Sequence, residues 1–304
     1  MLKQFNALYF VELSAAHYFT KSVNFVFSIE NQRDLSMKES RYLPVLTVAG
    51  SDSSGGAGIQ ADIKTVSALG CYGMSAITAV TAQNTVGVTA VAGIDPGIVA
   101  AQIDAVFDDI RPLAVKTGML YSSEVVDAVA GSLGRHHAGN LVVDPVMIST
   151  SGSRLISADA VEVMVHRLFP LAVLVTPNLQ EAVALTGESD PGAQAQWFFS
   201  HGVDSVLLKG GDSSDSRSKT DLFFRKYLPP VSLVSPAIDT VNTHGTGCTL
   251  SAAIVSFLAR GFDLDSAVAA AKEYISAALR SGANYVIGSG HGPVDHFHAL
   301  RHDI

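Results

Sequence analysis

The segment NTHGTGCTLSAA, residues 242–253, places two glycines and one of the chain's two cysteines just before an apolar helical pattern. Gly245 and Gly247, with Thr246 between them, let backbone N–H groups converge where a helix begins, and such a site favours a bound anion. Because a phosphoryl group in transfer is diffuse negative charge, the segment predicts phosphoryl transfer. Cys248 falls on the first helical turn, where we expect a lowered thiol pKa and a role as base for a substrate hydroxyl. The alternative is that Cys248 is a small apolar filler.

Two carboxylates are candidates for holding a metal ion. Asp144 lies in the apolar run LVVDPVM, residues 141–147, and Glu181 follows Asn178 by three residues in TPNLQEAVAL, residues 176–185. Residues three apart on a helix share one face. Asp144 and Glu181 together would hold Mg²⁺ mostly through water, as this ion prefers. The alternative is structural, with Asn178 capping a helix whose dipole favours Glu181.

A glycine-rich turn, AGSDSSGGAGIQAD at residues 49–62, follows the first apolar run. It is not a phosphate-binding P-loop, since no Gly-Lys-Ser/Thr follows, and its glycines do not fit G-x-G-x-x-G. The spacing is as consistent with a helix-start turn capped by Ser54 as with a flexible rim around a small substrate. Both interpretations stay open on the sequence alone.

The histidines and cysteines form no recognisable metal or disulfide framework. Cys71 and Cys248 are the only cysteines, which favours a reducing, cytoplasmic compartment. His136, His137 and the histidines of residues 291–302 lack the spacing of a zinc site. Structural or surface roles are expected for these histidines.

Short apolar runs alternate with helical patterns from Pro44 onward. The predicted strands are residues 44–50, 114–118, 141–147, 171–178 and 205–211, and the predicted helices are 58–69, 96–110, 123–133, 246–260 and 264–281. This alternation is typical of βαβ units and indicates an α/β fold with a mostly parallel central sheet covered on both faces. Residues 220–235 alternate differently and predict a hairpin at one sheet edge.

Polar residues recur where the predicted strands end. They are Asp52, Gln83, Lys116, Asp144, Asn178 and Lys209. Ligands of open α/β sheets bind at the carboxyl ends of parallel strands. We therefore expect these side chains to converge on one site with the segment around Cys248.

Composition excludes several classes of protein. The 304 residues carry a net charge of -8, with 48% hydrophobic and 16% charged residues, so most of the chain should be globular and nucleic acid is not an expected partner. Residues 1–43 are aromatic-rich but interrupted by polar residues, which predicts a loosely ordered or accessory extension and neither a membrane span nor a signal peptide. An incorrectly assigned start codon is the alternative. Residues 44–304 are expected to form a single domain.

Six motifs in a fixed order carry a resemblance to a known family. They are VAGSDSSGGAGIQADIKTVSALGCYGMSAITAVTAQNT (48–85), KTGML (116–120), VVDPVM (142–147), TPNLQEA (176–182), LLKGG (207–211) and NTHGTGCTLSAAI (242–254). Together they resemble the hydroxymethylpyrimidine/phosphomethylpyrimidine kinases of thiamin biosynthesis, members of the ribokinase-like superfamily. The resemblance implies a three-layer α/β/α sandwich. It also implies ATP-dependent phosphorylation of 4-amino-5-hydroxymethyl-2-methylpyrimidine and then of its monophosphate.

The resemblance also implies roles for individual residues. Gln83 would hydrogen-bond the aminopyrimidine edge, Gly50, Met119 and Val146 would line the ring pocket, and Asp52 would lie at its rim. Lys209, Gly211, Thr243 and Asn178, with Gly245, would hold ATP, and Asp144 and Glu181 would organise Mg²⁺. Cys248 stands where related sugar and pyridoxal kinases carry an aspartate base.

Alternative functions stay open at this point. Pyridoxal kinase is the nearest rival, because some proteins with these motifs phosphorylate pyridoxal. A nucleotide-binding regulatory protein is the rival of another class. The family resemblance further implies a homodimer that acts on small molecules. The cysteines predict a cytoplasmic location, and the charge and apolar pattern predict no nucleic-acid or membrane partner.

Overall fold

The computed structural model describes residues 41–147, 156–211 and 217–300. From Tyr42 these residues form one compact unit around a nine-stranded sheet. The strands are β1 (Pro44–Asp52), β2 (Tyr72–Gln83), β3 (Val88–Gly93), β4 (Ala114–Thr117), β5 (Leu141–Val143), β6 (Leu174–Val175), β7 (Ser205–Gly211), β8 (Ser218–Arg225) and β9 (Val231–Pro236). The predicted extension, residues 1–43, lies almost entirely outside the described residues and stays a prediction.

The sheet has the order β3-β2-β1-β4-β5-β6-β7-β8-β9. The six central strands pair in parallel, and in sheet order they are β2, β1, β4, β5, β6 and β7. At the two edges, β3 and the β8–β9 hairpin pair antiparallel. The predictions of a mostly parallel sheet and of an edge hairpin in residues 220–235 are therefore confirmed. The strands β2 and β3 were not among the predicted elements.

Two predicted strands are shorter than expected. The prediction of residues 141–147 extends past β5, because the chain turns directly after the strand, where Val146 N–H donates to the Asp144 carbonyl at 2.8 Å. The prediction of residues 171–178 exceeds β6 on both sides, since a 3-10 turn, Phe169–Leu171, precedes it. Both errors follow from counting apolar residues that belong to the turns.

Helices cover both faces of the sheet. They are α1 (Gly58–Ala68), α2 (Pro96–Asp109), α3 (Ser123–Arg135), α4 (Ala158–Val163), α5 (Leu179–Thr186), α6 (Pro191–Ser200), α7 (Thr246–Ala259) and α8 (Leu264–Gly282). The side chains that cap α2, α3, α6 and α8 by accepting N–H groups of the first turn are Asp95, Ser122, Asp190 and Asp263. Such caps satisfy donors that have no partner within the helix.

Alternate residues of the strands pack into two separate cores, because successive strand side chains point to opposite faces. One core, with α1, α7 and α8, contains Val45, Ala114, Val142, Leu174 and Leu207. The other core, with α2, α3 and α6, contains Leu46, Val115, Val143, Val175 and Leu208. The three-layer α/β/α sandwich is therefore confirmed.

A buried ion pair joins α1 to the sheet. Lys116 of β4 donates to both carboxylate oxygens of Asp62, at 3.0 and 2.8 Å, and neither side chain is exposed. Thr47 of β1 donates a further hydrogen bond to Asp62. Burial alone would lower the pKa of Lys116, but the charge of Asp62 reverses this effect and raises the pKa. Burial raises the pKa of Asp62 although the charge of Lys116 acts to lower it. Each partner therefore depends on the other for compensation.

Lys116→Met is expected to lower the free energy of unfolding by about 3–5 kcal/mol, because it leaves Asp62 buried without a counter-charge. Urea unfolding at pH 7 measures this loss. The double variant Lys116→Met/Asp62→Leu should recover most of it. Lys226→Met is the control, since Lys226 lies 3.9 Å from Asp204 in an exposed pair and should lose less than ~1 kcal/mol. An equally small loss for Lys116→Met would contradict the prediction.

Candidate active site

A cleft with a cavity volume of about 180 Å³ opens at the carboxyl ends of β1, β4, β5, β6 and β7, where α7 begins. It brings together residues that the sequence assigned to four different roles. The predicted site residues that line it are Gly50, Asp52, Gln83, Met119, Asp144, Val146, Asn178, Glu181, Lys209, Thr243, Gly245, Thr246, Gly247 and Cys248. Gly211 is the last residue of β7, two positions after Lys209. The cleft lies where ligands bind in open α/β sheets.

The start of α7 forms one wall of the cleft. Gly245, the N-cap residue, has φ = 78°, and no side chain caps this helix. A Cβ atom at Gly245 would collide with the carbonyl oxygen of Gly56, so a residue without a side chain is required there. Thr246 donates its hydroxyl to the Thr243 carbonyl at 2.7 Å. The N–H of Thr246 donates to the Thr243 carbonyl at 3.2 Å, and the other uncapped N–H groups of the first turn are available to an anion in the cleft.

Cys248 lies on the first turn of α7 and lines the cleft. Burial raises the pKa of the Cys248 thiol to about 11, although the charge of Lys116 acts to lower it. The expectation that the helix start lowers this pKa is therefore wrong. Desolvation of the thiolate outweighs the neighbouring positive groups.

Lys209 and Asp144 form an ion pair in the cleft. Lys209 Nζ donates to Asp144 Oδ1 at 2.7 Å, and Thr176 donates to the same oxygen at 3.2 Å. Burial would raise the pKa of Asp144, but the charges of Lys209 and Lys116 lower it. A Cβ atom at Gly247 would lie 3.3 Å from Lys209 Nζ, so the missing side chain keeps the ion pair next to the start of α7.

Glu181 closes a capping box at the start of α5. Asn178 Oδ1 accepts the N–H of Glu181 at 2.9 Å, and Glu181 Oε2 accepts the N–H of Asn178 at 2.8 Å. The structural alternative for this pair is therefore present. Burial raises the pKa of Glu181 despite the charge of Lys209.

The side chains around Lys209 supply only some of the oxygen ligands that Mg²⁺ requires. Among the described residues, no group of three or more His, Cys, Asp or Glu side chains gathers around a common point. Two carboxylates, Asp144 and Glu181, do line the same cleft. Mg²⁺ is commonly held by one or two carboxylates together with substrate phosphates and water, so this donor set is compatible with it.

The other end of the cleft is suited to a small ring. Met119 is 8% exposed, and its sulfur would lie 3.1 Å from a Cβ atom at Gly50, so the absent side chain leaves room beside it. Gln83, half-buried at the end of β2, and Val146 complete this end. The arrangement combines apolar contact with one polar amide.

Asp52 differs from its expected place at the rim. It is 3% exposed, and its carboxylate accepts N–H groups of Ser54, Gly56 and Ala57 as well as Nε2–H of His244 at 2.8 Å. Burial alone would raise the pKa of Asp52, but the hydrogen bonds from His244, Ser54 and Ala57 lower it to about 2. The buried carboxylate of Asp52 therefore fixes the glycine-rich turn through hydrogen bonds to its backbone.

His244 was not among the predicted site residues, although this residue lies within the motif NTHGTGCTLSAA. His244 is 6% exposed, lines the cleft, and contacts both Asp52 and Gln83. A polar ring among small residues, in a segment already assigned to the site, was the available signal. Its partners lie too far away in sequence for any local pattern to reveal them.

A second cleft, with a cavity volume of about 410 Å³, adjoins the first. It lies between the β8–β9 hairpin and helices α7 and α8. The residues common to both clefts are Asn178, Lys209, Thr243, Thr246 and Gly247. The apolar side chains of the second cleft are Ile238, Leu250, Ile275 and Leu279. The two clefts therefore meet at the start of α7.

Solved structures share this architecture. The phosphomethylpyrimidine kinase of Clostridium difficile is 44% identical, with a TM-score of 0.66 over 77% of this chain and 97% of that chain. The pyridoxal kinase of Bacillus subtilis, solved as an ADP complex, is 34% identical, with a TM-score of 0.77 over 86% of this chain and 99% of that chain. The fold is thus that of a ribokinase-like small-molecule kinase.

The sequence comparisons narrow this class. A family model described as phosphomethylpyrimidine kinase matches residues 52–295. The hydroxymethylpyrimidine/phosphomethylpyrimidine kinase of Rhizobium meliloti is 51% identical over 259 residues, which are 83% of this chain and 96% of that protein. The chain belongs to the phosphomethylpyrimidine kinase family.

Asp52→Asn is expected to lower the free energy of unfolding by about 2 kcal/mol at pH 7. The folded pKa of about 2 lies below the ordinary value of 3.8, so ionised Asp52 stabilises the fold above about pH 4. This contribution is lost as the pH falls through about 2. Chemical denaturation from pH 7 to pH 3 measures it.

Asp127→Asn is the matched control, because Asp127 pairs with Arg167 with both side chains 55% exposed. It should change stability by less than ~1 kcal/mol at every pH. If the two variants had the same pH dependence, the stabilising role of Asp52 would be refuted.

Proposed function

We propose that the protein is an ATP-dependent kinase that phosphorylates 4-amino-5-hydroxymethyl-2-methylpyrimidine and then its monophosphate, giving the diphosphate for thiamin biosynthesis. The observation that carries the proposal is the meeting of two clefts at the start of α7, one sized for a small ring and carrying Gln83. Family membership supports the same substrate class.

In this proposal ATP occupies the second cleft. Its base would pack on the apolar side chains there, and its phosphates would reach the shared residues Lys209, Thr243 and Asn178. The family resemblance also implies that Gly211 contacts ATP, and Gly211 lies with Lys209 at the end of β7. The ammonium of Lys209 is partly buried. Burial would lower the pKa of Lys209, but the charge of Asp144 raises it. The ammonium therefore stays charged and supplies positive potential where the two clefts meet.

The pyrimidine occupies the first cleft. Met119, Val146 and Gly50 would contact its ring faces, and Gln83 would pair with its polar edge, since one amide offers both a donor and an acceptor. The hydroxymethyl group would then point towards Cys248. N–H groups of residues 245–248 would stabilise the charge that develops on the transferring phosphoryl group.

Asp144 and Glu181 would hold Mg²⁺ together with the nucleotide's phosphates. When bound, the ion supplies charge neutralisation for those phosphates. Glu181 keeps Oε1 directed towards the Met147 N–H at 3.5 Å, so this oxygen is only weakly engaged within the protein.

The raised pKa of Cys248 shapes its proposed role as base. A pKa of about 11 leaves about one thiolate in 10⁴ molecules at pH 7, but that thiolate is a far stronger base than a carboxylate. The first transfer must remove a hydroxyl proton. The second starts from a phosphate monoester, which is already an anion at pH 7 because its second pKa is about 6. Only the first transfer should need the sulfur.

Pyridoxal kinase is the second candidate function. It is favoured by the similarity to the B. subtilis pyridoxal kinase structure, at a TM-score of 0.77. Pyridoxal also carries a hydroxymethyl group on a ring of similar size. It lacks an amino group next to a ring nitrogen, so the amide of Gln83 would be poorly matched.

The proposal extends to the compartment and the oligomeric state of the enzyme. We place the enzyme in the cytoplasm as a homodimer, in line with its two free cysteines and its family resemblance. None of the helices in the described part of the chain is long and apolar enough to cross a membrane.

An ADP-release assay with hydroxymethylpyrimidine, its monophosphate and pyridoxal tests the proposed function. We expect kcat/KM for hydroxymethylpyrimidine to exceed that for pyridoxal by at least ~10-fold, the equivalent of one well-made hydrogen bond. The monophosphate should also release ADP. A preference for pyridoxal would establish the second candidate, and no release with any of the three would refute both.

Cys248→Ala is expected to slow the first transfer by ~10²-fold or more and the second much less. Single-turnover rates with the alcohol and with its monophosphate separate the two steps. Cys248→Asp should restore part of the first transfer, because a carboxylate can also accept the proton. Cys71→Ala is the matched control, since Cys71 is buried and donates to the Ser256 carbonyl away from the cleft. Equal losses in both steps would contradict the base role.

A further inference from the structure

Three side chains of the cleft meet at a single atom, Nε2 of His244. This nitrogen lies 2.8 Å from Asp52 Oδ2 and 3.3 Å from Gln83 Nε2. His244 and Asp52 are 6% and 3% exposed, so water has little access to either. The proton on this nitrogen therefore decides which contacts are attractive.

Asp52 determines where that proton lies. Its carboxylate already accepts backbone N–H groups of Ser54, Gly56 and Ala57, which only an ionised, acceptor-only group does well. A hydrogen bond between Asp52 and His244 then requires His244 to donate, so Nε2 carries the hydrogen. A protonated ring nitrogen cannot accept a hydrogen bond from the amide N–H of Gln83.

The opposite end of the Gln83 amide gives the same answer. Thr81 Oγ1 lies 3.0 Å from the Ser51 carbonyl oxygen and 3.1 Å from Gln83 Oε1. The hydroxyl has one hydrogen, and the carbonyl can only accept. When that hydrogen goes to Ser51, Thr81 can still accept from an N–H of Gln83, but it repels the Gln83 oxygen.

Both ends favour the amide turned by 180° about its last bond. In that orientation Asp52 Oδ2 and Gln83 Oε1 share the one Nε2–H of His244 in a three-centre hydrogen bond, with Asp52 the nearer acceptor, and Gln83 Nε2 donates to Thr81 Oγ1. Each of these hydrogens then has an acceptor. The amide keeps one further N–H and one further lone pair, side by side, for a ligand in the cleft.

We propose that His244, held by Asp52, is a positioning residue that fixes the amide orientation of Gln83 and so selects rings with an amino group next to a ring nitrogen. The inference rests on the proposed function, because it concerns the choice of acceptor ring. The amino group would donate to Gln83 Oε1, and the ring nitrogen would accept from Gln83 Nε2. Since the hydroxymethyl group must face Cys248, only one ring orientation satisfies both ends.

The first test reads the proton on His244 without any substrate. Long-range ¹H–¹⁵N NMR of the full-length free protein, with His244→Gln to assign the signals, distinguishes the two ring nitrogens. We expect Nε2 to be protonated at pH 7. A bare Nε2 would overturn the proposal, and this result does not depend on whether the protein phosphorylates a pyrimidine.

The second test measures discrimination. The probes are hydroxymethylpyrimidine and its analogue without the amino group, and the readout is the ratio of their kcat/KM values. His244→Leu should reduce this ratio by ~10-fold or more, which corresponds to one lost hydrogen bond. His244→Gln, whose amide can place an N–H near the position of Nε2, should keep most of the ratio.

A double variant separates positioning from general structure. In the Gln83→Ala background, His244→Leu should cause no further loss of discrimination, because there is no amide left to orient. A loss of the same size in both backgrounds, or an unchanged ratio in His244→Leu, would overturn the proposal. His291→Leu is the control, since His291 is exposed in the neighbouring segment. Should His244→Leu fail to fold, His244→Gln and the NMR measurement still decide. If wild-type protein turns over neither probe, the proposed function fails while the NMR test stands.

Discussion

The close approach of two glycine-bearing segments organises the whole site. A Cβ atom at Gly245 would collide with the Gly56 carbonyl, and one at Gly56 would collide with the ring of His244. Only residues without side chains let the turn after β1 pack directly against the start of α7. That contact sets the thiol of Cys248, the N–H groups of α7 and the ring-binding end of the cleft at fixed separations. The buried hydrogen bond between Asp52 and His244 then keeps the two segments together.

Charge around this contact is distributed in compensated pairs. The buried Lys116 is paired with Asp62 and the partly buried Lys209 with Asp144, so neither lysine carries an uncompensated charge. The ion pair between Lys209 and Asp144 lies where the two clefts meet, whereas the ion pair between Lys116 and Asp62 joins α1 to the sheet. The sulfur of Cys248 feels both, yet burial dominates its proton affinity. The site thus favours anionic ligands through N–H groups and one accessible ammonium rather than through a large net positive charge.

Local sequence patterns predicted much of the fold, because the apolar runs of β1 and β7 and the helical spacing of α7 and α8 are properties of neighbouring residues. The edge hairpin was predictable for the same reason. The ends of β5 and β6 were not, since turn residues such as Val146 are as apolar as strand residues. At the site, the convergence of the strand-end residues followed from topology, except that Lys116 is fully buried against Asp62 and does not line the cleft. The pKa of Cys248 and the role of His244 did not, because they depend on Gly58, Lys116 and Asp52, the last of which is 192 residues from its partner.

The two clefts draw on largely separate stretches of the chain. The end proposed to bind the pyrimidine ring comes from the early strands and their turns, around residues 50–83, 119 and 146, whereas the adjoining cleft comes from the edge hairpin and the last two helices. Substitutions between residues 50 and 146 can therefore change which acceptor the protein binds without changing the cleft proposed to hold the phosphoryl donor. Such separability gives one scaffold a physical route to new vitamin-like acceptors by small local changes. It accounts for a shared architecture between enzymes that act on different rings.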